Sequence, residues 1–334
     1  MKITLILCTY NRCQILAKAL ESAAASKMPE SVEWEVLVVD NNSNDGTREV
    51  AETFSKMYPG RFRYLFELKQ GKSNALNAGV QEASGEILAF TDDDVIVAPT
   101  WLWNITAALD SGKWSSAGGR IGAANSFQCP RWLPLEGEYN LGGVLGFFDL
   151  GDKAGNSTEP FFGGNVAYRK EMFEKYGLYR TDLGRCGESM LSDEDMEFSR
   201  RIIAGGERLW YEPSAVVYHA VPKERLRKSF FLRFLYDQGR SQIRATGSKP
   251  GVFGIPRWCF SIPAIVLKSL IPRLMGWLFT LDPKRSFYFK CMVWKTFGQI
   301  AELPRIGLKE NRGQRSIIQA RESSKGNPLP RISP

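Results

Sequence analysis

Several things are scarce in this sequence, and each absence narrows the reading. Cysteine occurs six times in 334 residues, without a C-x-x-C pair or any metal-like spacing. Reduced, mostly packing cysteines and a cytoplasmic compartment are therefore expected. There is one histidine, His219. No uncharged apolar run reaches the roughly 18 residues that a membrane-spanning helix needs. The short apolar opening, residues 3–8, passes straight into the turn residues Thr9-Tyr10-Asn11-Arg12, which argues against a secretory signal. No G-x-G-x-x-G follows that opening, so the dinucleotide fingerprint of a dehydrogenase is missing. No internal repeat is present.

Charge is plentiful but unevenly placed. The net charge of +8 divides into 22 Lys and Arg against 30 Asp and Glu over residues 1–220, and 22 against 6 over residues 221–334. The acidic part suits metal and substrate chemistry, and the basic part suits an anionic surface. Hydrophobic residues make up 43% of the chain, enough for a sizeable core.

Apolar runs at residues 3–8, 34–39, 62–66 and 86–90 read as strands. Residues 14–25, 47–57 and 72–83 read as helices, the second capped by Thr47. Strands alternating with helices predict a doubly wound α/β sheet, which binds ligands beyond the carboxyl ends of its strands. Three of those ends carry polar clusters: Thr9-Tyr10-Asn11, Asp40-Asn41-Asn42 and Asp92-Asp93-Asp94. Residues 110–190 read as irregular. A helix begins near Ser192, which can cap it, and stops at Gly205-Gly206; a short strand at 215–218 leads to His219.

Three adjacent carboxylates repel one another unless a cation sits among them. At a strand end, alternation points Asp92 and Asp94 the same way. This favours a Mg²⁺ or Mn²⁺ site with positions left for phosphate oxygens, against the plainer reading of a solvated acidic turn. Asp40, placed the same way, suits hydrogen bonds from ribose or base, against a turn-forming role. Asp195 at the third helical position would stabilise a helix start without chemistry, yet the same position keeps a general base ionised; Glu194 is the second candidate.

Thr9-Tyr10-Asn11-Arg12, Val38-Val39-Asp40-Asn41, Gly46-Thr47, Asn74 to Gly79, Gly85-Glu86 and Asp92-Asp93-Asp94 occur in an order that resembles the family-2 nucleotide-sugar glycosyltransferases. Phe162-Gly163-Gly164-Asn165, Glu194-Asp195 and Tyr218-His219 extend the resemblance to about residue 220. It implies a GT-A fold, here a doubly wound mixed sheet flanked by helices, and inverting single displacement. By the same resemblance Thr9, Tyr10, Arg12, Asp40 and Lys72, with Asp92 and Asp93, would hold the nucleotide. Asp94 would ligate Mn²⁺ or Mg²⁺ on the diphosphate. Asp195 would be the base, and Gly163, Gly164 and Asn165, with Glu194, would shape the sugar and acceptor side. His219 matches a position that is a metal ligand in some relatives; a lone histidine after a strand is more often structural.

The rivals fit less well. A sugar-phosphate nucleotidyltransferase would carry a Gly-rich loop after the first strand, and residues 9–13 have no glycine. A catalytically retired membrane scaffold would have lost an aspartate. Gln128 to Trp132 matches the Q-x-x-R-W pattern of processive polysaccharide synthases but precedes Glu194-Asp195 instead of following it. Arg257-Trp258 lacks its glutamine, Gly254 standing there. A non-processive enzyme is expected.

Residues 1–220 are thus expected as the catalytic domain, 221–305 as a basic amphipathic helical extension and 306–334 as a disordered tail. Within residues 225–301, Phe230, Phe231, Phe234 and Leu235 share one helix face edged by Arg227, Arg233 and Arg240, and residues 258–281 are apolar but broken by Lys268 and Arg273. Two roles compete: helices that cover the catalytic domain, or in-plane attachment to an anionic membrane. The second makes the protein peripheral on the cytoplasmic face of a membrane, with a nucleotide-diphosphate sugar donor, a glycan or lipid-linked acceptor and no nucleic acid as partners.

Overall fold

The computed structural model describes the backbone of residues 1–187, 189–247, 256 and 258–325, and side chains for those residues up to 307. The four expected strands form as β1 (Lys2–Thr9), β2 (Glu33–Asp40), β3 (Phe62–Phe66) and β4 (Ile87–Asp92). Between them lie α1 (Cys13–Ala24), α2 (Thr47–Met57) and α3 (Lys72–Glu82). The strands pair in parallel in the order β3-β2-β1-β4. The order reverses between β1 and β4, where Cys8 lies beside Asp92; a crevice opens at such a switch point. Alternation sends Ile3, Leu5, Leu7, Val36, Val38 and Ala89 into one core, and Ile6, Leu37, Val39, Leu88 and Phe90 into the other. Burial on both faces is why these strands read as unbroken apolar runs.

The rest of the sheet comes from β5 (Val95–Val97), β6 (Ser116–Ala123), β7 (Gly155–Ser157), β8 (Val166–Arg169) and β9 (Leu209–His219), with α4 (Trp101–Asp110), α5 (Glu171–Tyr176) and α6 (Glu194–Ala204). β8 runs antiparallel to β4, so the nine-stranded sheet is mixed. Residues 110–190 are therefore less irregular than expected. The strand β6 was hidden because it is built of small residues: a Cβ on Gly118 would overlap the Phe161 ring.

Two helix starts differ from expectation. The cap of α6 is Asp193, with φ of 73°, and Asp195 is the second helical residue. Ser192 does not cap: its hydroxyl donates to Asp193 (3.3 Å) and its N–H to Ser241 (3.0 Å). Thr47 is the first residue of α2, and its hydroxyl donates to Asp45.

The C-terminal region holds α7 (Lys228–Thr246), α8 (Trp258–Ile265), a π-helical turn (Val266–Leu270), α9 (Ile271–Phe279) and α10 (Pro283–Lys325). Three sequence expectations change here. Phe231, Phe234 and Leu235 do not face lipid; they are buried with Leu133, Leu141, Leu145, Phe287 and Cys291, because their apolar stripe meets apolar residues from both halves of the chain. The segment Trp258–Phe279 is, by length and composition, long and apolar enough to cross a membrane: Lys268 and Arg273 interrupt the apolar run without ending the helix. Finally, α10 passes through residue 306 to Lys325, since residues 308–325 are rich in Lys, Arg, Glu and Gln, which are good helix formers. The rest of the expected tail, 326–334, and Arg257 lie outside the described residues.

Candidate active site

The carboxyl ends of β1 and β4, the start of α6 and the end of β9 surround a cleft of about 420 Å³. Its wall includes Thr9, Tyr10, Arg12, Lys72, Asp92, Asp93, Asp94, Gly163, Gly164, Glu194, Asp195 and His219. Segments up to 210 residues apart in sequence thus converge as expected. Asp40 and Asn165 do not line it.

The aspartate triplet divides by task. Asp92 forms an ion pair with Lys72 (2.8 Å), whose ammonium also lies 3.5 Å from Glu194. Asp93 turns inward, accepting from the Thr9 hydroxyl (2.8 Å) and from Arg12 (2.7 Å). Asp94 meets His219 Nε2 at 3.2 Å, Arg225 at 3.1 Å and Arg12 at 3.2 Å. The fold explains that last encounter. β5 pairs antiparallel with the end of β9, setting Val95 opposite His219, and the Ala220 N–H donates to the Asp94 carbonyl (2.9 Å).

Burial would raise all three carboxyls. At Asp94 it is outweighed by His219, Arg225 and Arg12, and the carboxyl falls well below the usual range. At Asp92 burial is outweighed by Lys72. At Asp93 burial prevails over Arg12, and the carboxyl is pushed up to about 6.

His219 carries a second piece of information. Its Nδ1 lies 2.6 Å from the Leu145 carbonyl. A carbonyl can only accept, so Nδ1 carries a proton and Nε2 is the ring nitrogen turned to the cleft. Nε2 lies 3.2 Å from an Asp94 oxygen and 3.3 Å from the Arg225 guanidinium, which also reaches Asp94. A carboxylate oxygen with an imidazole nitrogen is a donor set that suits Mn²⁺. Among the described residues no three His, Cys, Asp or Glu side chains gather into a closed cage, so a cation here would take its other ligands from substrate or water.

At the opposite wall, Asp195 accepts from the N–H of Gly163 (2.5 Å) and of Met196 (2.7 Å). A Cβ at position 163 would stand 3.1 Å from the Asp195 carboxylate, so glycine lets the backbone come this close. Glu194 is fully buried, and burial pushes it up to about 7 despite Lys72. Asp193 is buried and strained, with one oxygen lacking any hydrogen-bond partner; burial pushes it up to about 6.

Two expected ligands are occupied elsewhere. Asp40 accepts from the Ser43 N–H (2.9 Å) and the Tyr64 hydroxyl (3.0 Å). Its neighbour Asn41 reaches the cleft instead and ties down the loop before α3, accepting from the Gly71 N–H (2.7 Å). Asn165 uses its oxygen for Trp101 and both amide hydrogens for the carbonyls of Arg120 and Ala215, which leaves it nothing for a sugar. Conversely, Arg225, Arg185 and Gln70 line the cleft unforeseen. Arg225 sits six residues past His219, at the start of the basic stretch 225–301. Trp132 of the Q-x-x-R-W look-alike is half-buried, packed on the rings of Phe231 (5.3 Å) and Phe287 (4.9 Å).

A mixed sheet with a carboxylate-lined cleft at its switch point is the GT-A arrangement. It is shared with a mannosyltransferase from Pyrobaculum calidifontis solved with GDP-Man and Mn²⁺, at a TM-score of 0.60, 20% identity, and coverage of 90% of this chain and 86% of that one. The chain belongs to glycosyl transferase family 2, whose model matches residues 4–177, and it is a glycosyltransferase. It is 27% identical over 230 residues to the glycosyltransferase AglE of Haloferax volcanii, covering 68% of this chain and 70% of the relative. To the succinoglycan biosynthesis protein ExoM of Rhizobium meliloti it is 26% identical over 246 residues, covering 72% and 74%.

Proposed function

We propose that this enzyme transfers a sugar from a nucleotide-diphosphate donor to a hydroxyl of a glycan or lipid-linked acceptor, inverting the anomeric carbon in a single displacement. The observation that carries the reading is the approach of Asp94 and His219 Nε2 to 3.2 Å in the cleft that also holds Asp195. Asp94 and His219 would hold Mn²⁺ or Mg²⁺, which when bound supplies positive charge to the departing diphosphate. The solved GDP-Man and Mn²⁺ complex of the similar mannosyltransferase supports that cofactor.

The chain's own residues divide the remaining work. Arg12, Lys72 and Arg225 place three cations around the acidic floor, where a diphosphate would lie. Asp195, oriented by two backbone N–H groups, takes the proton of the attacking hydroxyl. It suits this role better than Glu194, which is pushed up to about 7 and already faces Lys72; a base must begin ionised. Trp132 packs on Phe231 and Phe287 and does not line the cleft, which supports a non-processive reaction.

The basic C-terminal residues, within 225–301, would hold the enzyme against the cytoplasmic face of an anionic membrane, which suits a lipid-linked acceptor. The kinship with a succinoglycan biosynthesis protein supports a glycan product. A calorimetric panel of UDP-, GDP- and dTDP-sugars with Mn²⁺ tests the donor: one should bind, and failure of all three would remove the nucleotide-sugar reading. Proton NMR of the product tests the displacement, and a retained anomeric configuration would exclude it.

A further inference from the structure

The membrane contact just proposed can be assigned to one element, and the assignment rests on that reading. The segment Trp258–Phe279 is the outermost layer of the C-terminal region. Beneath it α10 buries Phe287, Cys291 and Thr296 and crosses α7 so closely that a Cβ on Gly298 would overlap the Tyr236 carbonyl. The segment packs on the other side of α10. Its Gly276 lies against the Phe289 ring, Trp277 meets Trp294 at 6.0 Å, and Arg273 donates to Thr296 and to the Met292 carbonyl.

Among the described residues nothing covers the outward side. Phe260, Leu267, Ile271, Met275, Leu278 and Phe279 are 44–70% exposed. They recur every three or four residues, with exposed Pro263, Ala264 and Pro272 between them, and so form a single stripe along the helix. Lys268 is the one residue of the segment that is both charged and exposed. An apolar stripe of this extent marks a partner surface.

Charge selects the partner. From Asp237 to Asp282 the sequence has no acidic residue in between, and with Arg240 and Arg244 paired to Glu302 it still has Lys249, Arg257, Lys268 and Arg273. A second copy meeting stripe to stripe would oppose two such basic sets, whereas an anionic lipid surface neutralises them.

We infer that Trp258–Phe279 lies in the plane of an anionic bilayer interface, its stripe among the upper acyl chains and the Lys268 ammonium extended back to the headgroups. Length alone would permit a crossing. A crossing helix needs every side turned to lipid or buried apolar protein, but the inner side here is committed to α10, whose Lys290 lies over the Trp277 and Trp294 rings.

The test is flotation of the full-length protein with vesicles of phosphatidylcholine alone or mixed with phosphatidylglycerol. The native protein is compared with the triple variant Leu267→Glu, Ile271→Glu, Leu278→Glu. All three positions are exposed and outside the cleft, so nucleotide affinity reports that the fold is kept. The native protein should float with mixed vesicles, and the triple variant should lose at least about tenfold in bound fraction. Lys268→Glu, which leaves the apolar stripe whole, should weaken binding to mixed vesicles several-fold, and provides the test if the triple variant loses nucleotide binding. Equal flotation of native and variant proteins would overturn the assignment while leaving membrane attachment standing. A native protein that ignores mixed vesicles would remove the membrane reading itself. If such a protein were instead a dimer broken by the triple variant, the stripe would belong to a second copy.

Discussion

At the scale of single residues, the site separates charge neutralisation from proton transfer, and the two can be tested apart. Asp94→Ala should nearly abolish transfer in a folded protein and remove the Mn²⁺ dependence of nucleotide binding; full activity in chelator would contradict this. Asp195→Asn should hold donor affinity within a few-fold and lower kcat by roughly 10²–10⁴. The opposite pattern, with Glu194→Gln doing the damage, would move the base by one residue. Glu194 makes a separate prediction about pH. Its carboxyl rises from the usual 4.5 to about 7 on folding, burial being the main cause. Between those values the folded state binds the extra proton, so this residue's contribution to stability falls as pH rises from 4.5 through 7 and is flat above. Glu194→Gln removes that slope. The native protein should lose on the order of 1–3 kcal/mol more than the variant between pH 5 and pH 8 by denaturant titration. Which residues were legible follows the same division. Asp92 and His219 end strands and Asp94 sits in the short turn between two, and strand ends converge whatever the longer loops do. Arg225 lies beyond the last strand, and only the three-dimensional path after β9 brings it back onto Asp94. Asp40 and Asn165 stand at correct strand-end and loop positions, but side-chain direction and hydrogen-bond partners decide their use, and neither is written in spacing.

At the scale of elements, legibility tracked how each segment is stabilised. β1 to β4 and α1 to α3 were readable because burial on two faces imposes apolar runs and one-sided burial imposes helical periodicity. β6 has neither; small residues are required there by Phe161 and Ala215 pressing on Gly118 and Gly119. The α7–α10 contact is another glycine-dependent feature. A Cβ on Gly239 would overlap the Lys295 carbonyl, and one on Gly298 the Tyr236 carbonyl, so the two backbones touch. In an isolated helix Gly→Ala stabilises by roughly 0.5–1 kcal/mol. Here the helices would have to separate, and overpacking of this kind costs about 1–3 kcal/mol. Gly239→Ala and Gly298→Ala should therefore each lower the Tm in a thermal melt, against the helix-propensity trend. A rise in Tm would show that the contact is looser than described. Because Asp237 and Ser241 of α7 accept the N–H groups of Met190 and Ser192 just before α6, the same substitutions should also lower turnover.

For the whole molecule, charge and packing draw different boundaries. The change of sign near residue 220, from 22 basic against 30 acidic residues to 22 against 6, suggested a catalytic domain with a detachable extension. Charge, however, reports what faces solvent and says nothing about which apolar residues share a core. The third hydrophobic cluster joins Leu133, Leu141, Val144 and Leu145 from the acidic part to Phe231, Phe234, Leu235, Phe287 and Cys291 from the basic part. Arg225, two hydrogen-bond acceptors of α7 and Lys295, which lies near Asp193, all reach the catalytic side from beyond residue 220. A chain ending at Val221 would expose the four residues of the first set and release the loop that leads into α6. Uncovering even two leucine-sized side chains costs about 3–6 kcal/mol, comparable with the whole stability of an ordinary domain. Such a chain should accumulate in the insoluble fraction or, if recovered, show a broad, early melt and at least about tenfold weaker nucleotide binding than the full protein. Size-exclusion chromatography and calorimetry would measure both. A monodisperse shortened chain with unchanged nucleotide affinity would show instead that residues 1–220 fold alone, and that the helices serve the membrane without completing the catalytic domain.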